Sequence, residues 1–277
     1  VRGIVRLGAK LRIVKNEEKM PDFISITSKD NKLLKVVYAL QNSSKTRDEN
    51  GLFVLEGLRI CYDAFDNGID FKKLIVSVTA KEKYYDDILK FSSKADELYC
   101  VPDSLFTKIS DTKSPQGIIA VCEIPQNKTT LNIKGRYIAL ENIQDPSNLG
   151  AISRTAEALG VSGLIIAGGC DAFAPKSLRA SMGTLLRMPI YKIDSISEIT
   201  SFGLTTYACV VDKDAQKITE TKFNDGSVVV IGNEANGITE ETRRVCDYNI
   251  TIPMNGKAES LNAAVAASIA MWEMIKC

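Results

Sequence analysis

Val228-Val-Val-Ile-Gly-Asn-Glu-Ala-Asn-Gly-Ile-Thr239 is the natural starting point for this chain. Its first four residues form a continuous apolar run, the pattern of a strand covered on both faces rather than one. Gly232 ends the run and allows a ligand to approach the backbone closely, while Asn236-Gly237 is a turn signal that can supply positive φ. Thr239 followed by Glu240 and Glu241 reads as a helix start. Apolar runs of the same kind recur at 137–140, 163–167, 189–193, 206–211 and 250–252, with helical patterns between most of them. The expected architecture is therefore α/β, a doubly wound parallel sheet.

Ligands of such sheets bind beyond the carboxyl ends of the strands, so the loops there are the candidates for chemistry. Glu141-Asn-Ile-Gln-Asp-Pro-Ser-Asn-Leu-Gly150 precedes a helix expected over 151–159. Asp145-Pro146 sets a turn, and Asn148 is suited to cap the helix. Arg154 falls about 200° around the helix from Ile152 and points away from the sheet. Ile250-Thr-Ile-Pro-Met-Asn-Gly-Lys-Ala-Glu-Ser-Leu-Asn262 leads into a helix over 263–275. Ser260 is its candidate cap, and Leu261, Val265, Ile269 and Trp272 its candidate apolar stripe. Each loop alone has an ordinary reading as a turn, a cap or a core helix; the specific signal is the three together in this order.

Helix and strand patterns also alternate from Met20 to about Glu123, as in a small α/β layer structure. Helices are expected over 31–40, 57–67 and 84–92, and strands over 51–55, 74–78 and 117–123. Pro125-Gln-Asn-Lys-Thr-Thr130 has no periodicity and marks a linker, spanning 125–135, between a leading domain (20–124) and a second one (136–277). A total of 277 residues accommodates two domains. Residues 1–19 hold six Lys/Arg and two acids and read as a leader that need not be native. Asn16 to Lys19 back-translates to a purine-rich ribosome-binding sequence, which makes Met20 the expected natural start.

Composition narrows the chemistry. With 45% apolar and 25% charged residues and a net charge of +1, the chain is an ordinary globular one without a global electrostatic case for nucleic acid. Any such site must be local. Seven cysteines without a C-x-x-C spacing argue against zinc and fit a reducing, cytoplasmic setting, and no run is long enough to span a membrane. No metal is expected. The chain has no histidine at all, which removes every imidazole-based triad, general base and metal ligand.

Taken together, Asn142, Asp145-Pro-Ser-Asn-Leu-Gly150 with Arg154 and Ala156, Gly232-Asn-Glu-Ala-Asn-Gly237, and Ile252-Pro-Met254 followed by Ser260-Leu-Asn262 closely resemble the SpoU-type (TrmH-like) branch of the SPOUT RNA methyltransferases. The resemblance covers about residues 136–277. Phe53-Val-Leu-Glu-Gly57 and Thr112-Lys-Ser-Pro-Gln-Gly-Ile118 also look like parts of the smaller α/β substrate-binding domain that precedes the catalytic one in rRNA members.

The resemblance implies a trefoil knot in the carboxyl-terminal parallel sheet, bound S-adenosylmethionine, a homodimer, and methylation of a ribose 2′-hydroxyl of RNA, most simply rRNA. A tRNA ribose methyltransferase and a catalytically silent RNA-binding assembly factor are the alternatives. By motif position, Gly232, Ile252, Met254 and Leu261 would hold the cofactor. Asn148, Glu234, Ser260 and Asn262 would position the reacting groups around Arg154, which would contact the ribose or its phosphate. A guanidinium suits phosphate clamping better than proton abstraction, so a phosphate oxygen or water is the alternative proton acceptor. In the leading domain, Lys45 and Arg47 lie in a polar stretch expected to be a loop and are candidate RNA contacts. That domain holds 14 basic against 16 acidic residues, so recognition would be by shape and exposed bases.

Overall fold

A computed structural model describes residues 21–125 and 130–276, together with two short paired strands, β1 (Ile4–Val5) and β2 (Arg12–Ile13). The expected leader and the start at Met20 otherwise lie outside the described residues. The leading unit runs through β3 (Ile24–Ser25), α1 (Lys32–Asn42), α2 (Ser44–Asn50), β4 (Leu52–Glu56) and α3 (Leu58–Asp66). It continues with β5 (Phe71–Ser77), α4 (Val78–Lys83), α5 (Tyr85–Ser92), β6 (Ala95–Val101), α6 (Asp103–Ile109) and β7 (Ile118–Glu123). These strands form a mixed sheet in the order β3-β6-β5-β7-β4, with β7 antiparallel to both its neighbours.

The second unit comprises β8 (Arg136–Glu141), α7 (Pro146–Ala158), β9 (Gly163–Ala167), α8 (Pro175–Ser181), α9 (Thr184–Arg187), β10 (Ile190–Ile193) and β11 (Thr205–Cys209). Then follow β12 (Gln216–Lys217), β13 (Ser227–Ile231), α10 (Glu240–Val245), β14 (Tyr248–Thr251) and α11 (Ala263–Ile275). Its seven strands pair in the order β10-β9-β8-β13-β11-β14-β12 and are parallel throughout, as the continuous apolar runs required. Every residue of β9 and β13 is buried. Each such Val, Leu or Ile stabilises the sheet by about 1.5–3 kcal/mol.

The two units are not separate beads. One apolar cluster runs from Phe53, Leu55 and Ala120 to Ile138, Leu140 and Phe173, and the rings of Phe53 and Phe173 lie 5.1 Å apart. Arg47 crosses between the units to Asp171 at 2.6 Å, with the two side chains 5% and 10% exposed.

Several local expectations change. The helix after β8 begins at Pro146, not Ala151, because Asp145 caps it by accepting from the Ser147 amide (2.8 Å) and proline suits the first helical position. Asn148 is therefore inside the helix and caps nothing. Helix α11 is capped by Asn262, whose Oδ1 accepts from the Ala264 and Val265 amides (2.9 and 3.3 Å), and not by Ser260. Its buried face is Ala263, Ala264, Ala267, Ala270, Met271 and Met274, while Val265 and Trp272 are 47% and 58% exposed. The stretch holding Lys45 and Arg47 is helical.

Candidate active site

Strands β8, β13 and β14 all end on the same edge of the sheet, and their loops interlock. Glu234 is the hub: its carboxylate accepts from the backbone amides of Gln144 and Asp145 (both 3.1 Å) and from Asn148 Nδ2 (2.9 Å). Asn148 Oδ1 in turn accepts from Asn262 Nδ2 (3.0 Å). One chain of hydrogen bonds thus joins the first, second and third loops, and it explains why Asn148 sits within the helix: its amide bridges two loops instead of capping. Partial burial raises the Glu234 pKa, but the hydrogen bonds from Asn148 and from the backbone outweigh it and hold the carboxyl below its usual range.

A second set of contacts shapes the loop after β13. Glu141 accepts from the Thr239 amide (2.9 Å), Thr239 Oγ1 (2.7 Å) and Thr242 Oγ1 (2.5 Å), which fixes the start of α10. Asn142 has a left-handed backbone (φ 57°), and its carbonyl accepts from Asn233 Nδ2 (2.9 Å). The amides of Ala235 and Asn236 donate to Asn233 Oδ1. A Cβ at Gly232 would lie 2.2 Å from the Gly237 carbonyl carbon and 2.3 Å from the Ile238 nitrogen. The loop's own returning backbone thus requires glycine at this position.

These loops surround a cleft of about 340 Å³. Gly232, Glu234, Ile252, Met254, Ser260 and Leu261 line it, as does Ala263 at the start of α11. All four expected cofactor residues are brought together, with two of the positioning candidates. Apolar side chains and loop backbone share the wall, the mixture expected of a site for a ligand with an apolar body and polar edges. Cys209 also lines the cleft, but burial pushes its thiol up to about 11, so it is no thiolate nucleophile near neutral pH.

Arg154 stands on the exposed face of α7 and does not line the cleft of the single chain. It makes no hydrogen bond or ion pair among the described residues. Along the same face lie Ser147, Ala151 and Ala158, all exposed. Helix α11 packs beside α7, joined through Ser268 and Thr155 at 3.3 Å.

Arg47 is not available to RNA. Its guanidinium is buried, donating to Asp171 Oδ2 (2.6 Å) and to the Leu40 carbonyl (2.5 Å). Lys45 points to solvent, 84% exposed, with Glu49 at 3.8 Å. Sequence reasoning missed Glu141 and the pair Asp212–Arg243, of which Arg243 lines the cleft. Extending the strand-end rule to β11 would have found Asp212, which lies just beyond that strand.

Among known proteins, residues 135–272 match the SpoU rRNA Methylase family and residues 31–120 the MRM3-like substrate binding domain. The chain is 30% identical to an uncharacterized tRNA/rRNA methyltransferase of Synechocystis over 91% of its length and 93% of the relative's. It is 28% identical to the 23S rRNA (uridine(2479)-2'-O)-methyltransferase of Streptomyces viridochromogenes, covering 94% of each. Among solved structures, the AdoMet-bound rRNA methyltransferase from Sinorhizobium meliloti superposes with a TM-score of 0.79 at 28% identity, covering 92% of this chain and 98% of that one.

Proposed function

The chain belongs to the SpoU rRNA methylase family, and from that premise we propose that it transfers a methyl group from S-adenosylmethionine to a ribose 2′-hydroxyl of rRNA. The observation that carries this reading is the hydrogen-bonded chain Glu234–Asn148–Asn262, which ties three strand-end loops into one cleft. S-adenosylmethionine supplies an already activated sulfonium methyl, so the protein's work is alignment and proton removal. Backbone groups near Gly232, Ile252 and Leu261 hold the adenosyl portion, and Met254 forms apolar wall. Glu234, Asn148 and Asn262 keep the loops in register, and Ser260 offers a hydroxyl at the cleft's edge.

Arg154 clamps the acceptor ribose or its phosphate, and a phosphate oxygen or water takes the proton. Because Arg154 does not line the cleft of its own chain, we assign it to the cleft of a second copy. An exposed face made of Val265 and Trp272 on α11 beside Ala151 and Arg154 on α7 supports that homodimer. Strands β8 and β13 are neighbours although about 90 residues separate them, and their loops interlock, which supports the knot. Six free cysteines among the described residues fit a reducing compartment, and we place the enzyme in the cytoplasm. The direct test is calorimetry with S-adenosylhomocysteine combined with tritiated-methyl incorporation into rRNA. The reading expects both binding and incorporation; binding without incorporation would leave a silent RNA-binding factor.

A further inference from the structure

We propose that the groove between α1 and α6 binds one base of a single-stranded segment of the substrate RNA, with lysines on the flanking phosphates. This rests on the RNA reading above and extends it to a surface outside the cleft. Leu34, Leu105 and Ile109 floor a groove of about 200 Å³, and Lys29, Lys35, Lys108 and Tyr38 rim it. Among the described residues, no carboxylate lines it.

Some lysines elsewhere in this unit are paired: Lys72 with Asp96 and Glu123, Lys73 with Glu97, and Lys90 with Asp66. At the groove, Lys29 and Lys108 have no ion pair among the described residues, and Lys35 has only the exposed Asp30 at 3.5 Å. In a unit with an acidic surplus, this is a local concentration of unmatched positive charge, complementary to a phosphodiester. Tyr38 is 53% exposed and its hydroxyl has no hydrogen-bond partner among the described residues, so a ring face and a polar tip are both free for a base. A groove of this size takes a single base, whereas duplex RNA is read across a broad surface.

The groove is also held in fixed relation to the cleft. Arg47 ties the carboxyl end of α1, through the Leu40 carbonyl, to Asp171 of the second unit. The Cys170 amide beside Asp171 donates to the Ile143 carbonyl (2.7 Å) in the first loop of the cleft.

The test is fluorescence anisotropy of the full chain with a labelled single-stranded RNA of about 12 nucleotides, over a range of salt. Tyr38→Ala should weaken binding about tenfold. Lys29→Gln with Lys108→Gln should lower the slope of log affinity against log salt by roughly 1.4, about 0.7 for each phosphate no longer neutralised. Calorimetry with S-adenosylhomocysteine should show unchanged cofactor affinity in both, since neither touches the cleft. Variants matching a wild type that binds the strand overturn the groove and leave the methyltransferase reading standing, as does a wild type that methylates rRNA without binding the strand. A wild type that does neither overturns the reading beneath it.

Discussion

Glu234 carries more of the site than its partial exposure suggests, because one carboxylate orders two backbone amides and the Asn148 side chain at once. Glu234→Gln replaces one acceptor oxygen with a donor facing donors. Since the folded pKa lies below its ordinary value, the carboxylate's stabilising contribution is complete above the unfolded pKa of about 4.3 and fades as pH falls through the folded one. The difference in Tm between wild type and Glu234→Gln should be largest above about pH 5 and shrink on acidification; a pH-independent difference would contradict this. Gly232→Val pushes a side chain into the Gly237–Ile238 backbone, and we expect at least about tenfold weaker S-adenosylhomocysteine binding by calorimetry. Unchanged affinity would place the cofactor elsewhere. Arg154→Ala removes an exposed side chain that has no partner among the described residues of the single chain, so Tm and cofactor affinity should hold while methyl transfer falls to background. Arg154→Lys should rescue little, because an ammonium lacks the planar fork.

At the scale of elements, the contact between the two units turns on α2 and the turn after β9. Arg47→Ala leaves Asp171 buried without its partner, so urea unfolding should show a loss of about 3 kcal/mol or more, and Asp171→Asn a similar one. A loss under about 1 kcal/mol, typical of an exposed pair, would contradict the latch. This helix is also where the sequence pattern misleads. Ser44 to Asn50 has no apolar stripe, so nothing periodic announces a helix; its stability comes from the Ser43 cap and the Arg47 contacts, which are tertiary. In α11 nearly every position is small or apolar, so spacing cannot choose between faces, and the stripe through Val265 and Trp272 is the exposed one. The strands of the parallel sheet are legible because burial on both faces writes itself as an unbroken apolar run. Strand β6 is not, since its mixture of Asp96, Glu97 and Leu98 follows neither period. The three loops are legible as types of residue, but the bridge from Glu234 through Asn148 to Asn262 joins positions more than 80 residues apart and exists only in three dimensions.

For the whole molecule, the exposed face of α7 and α11 is where the proposed homodimer would join the oligomeric state to the chemistry. Val265→Glu with Trp272→Glu should convert a dimer into monomers by light scattering and abolish methyl transfer, while leaving a folded chain, because neither residue packs in the core. A monomeric but fully active variant would remove the reason for placing Arg154 in a partner's cleft. The central claim is that the interlocked cleft presents an activated methyl to a ribose hydroxyl. It is tested most directly by incubating the protein with rRNA and isotopically labelled S-adenosylmethionine, then digesting the RNA to nucleosides for mass spectrometry. The account predicts label on the ribose 2′-oxygen with wild type and none with Arg154→Ala; label on a base, or equal labelling by the variant, would contradict it.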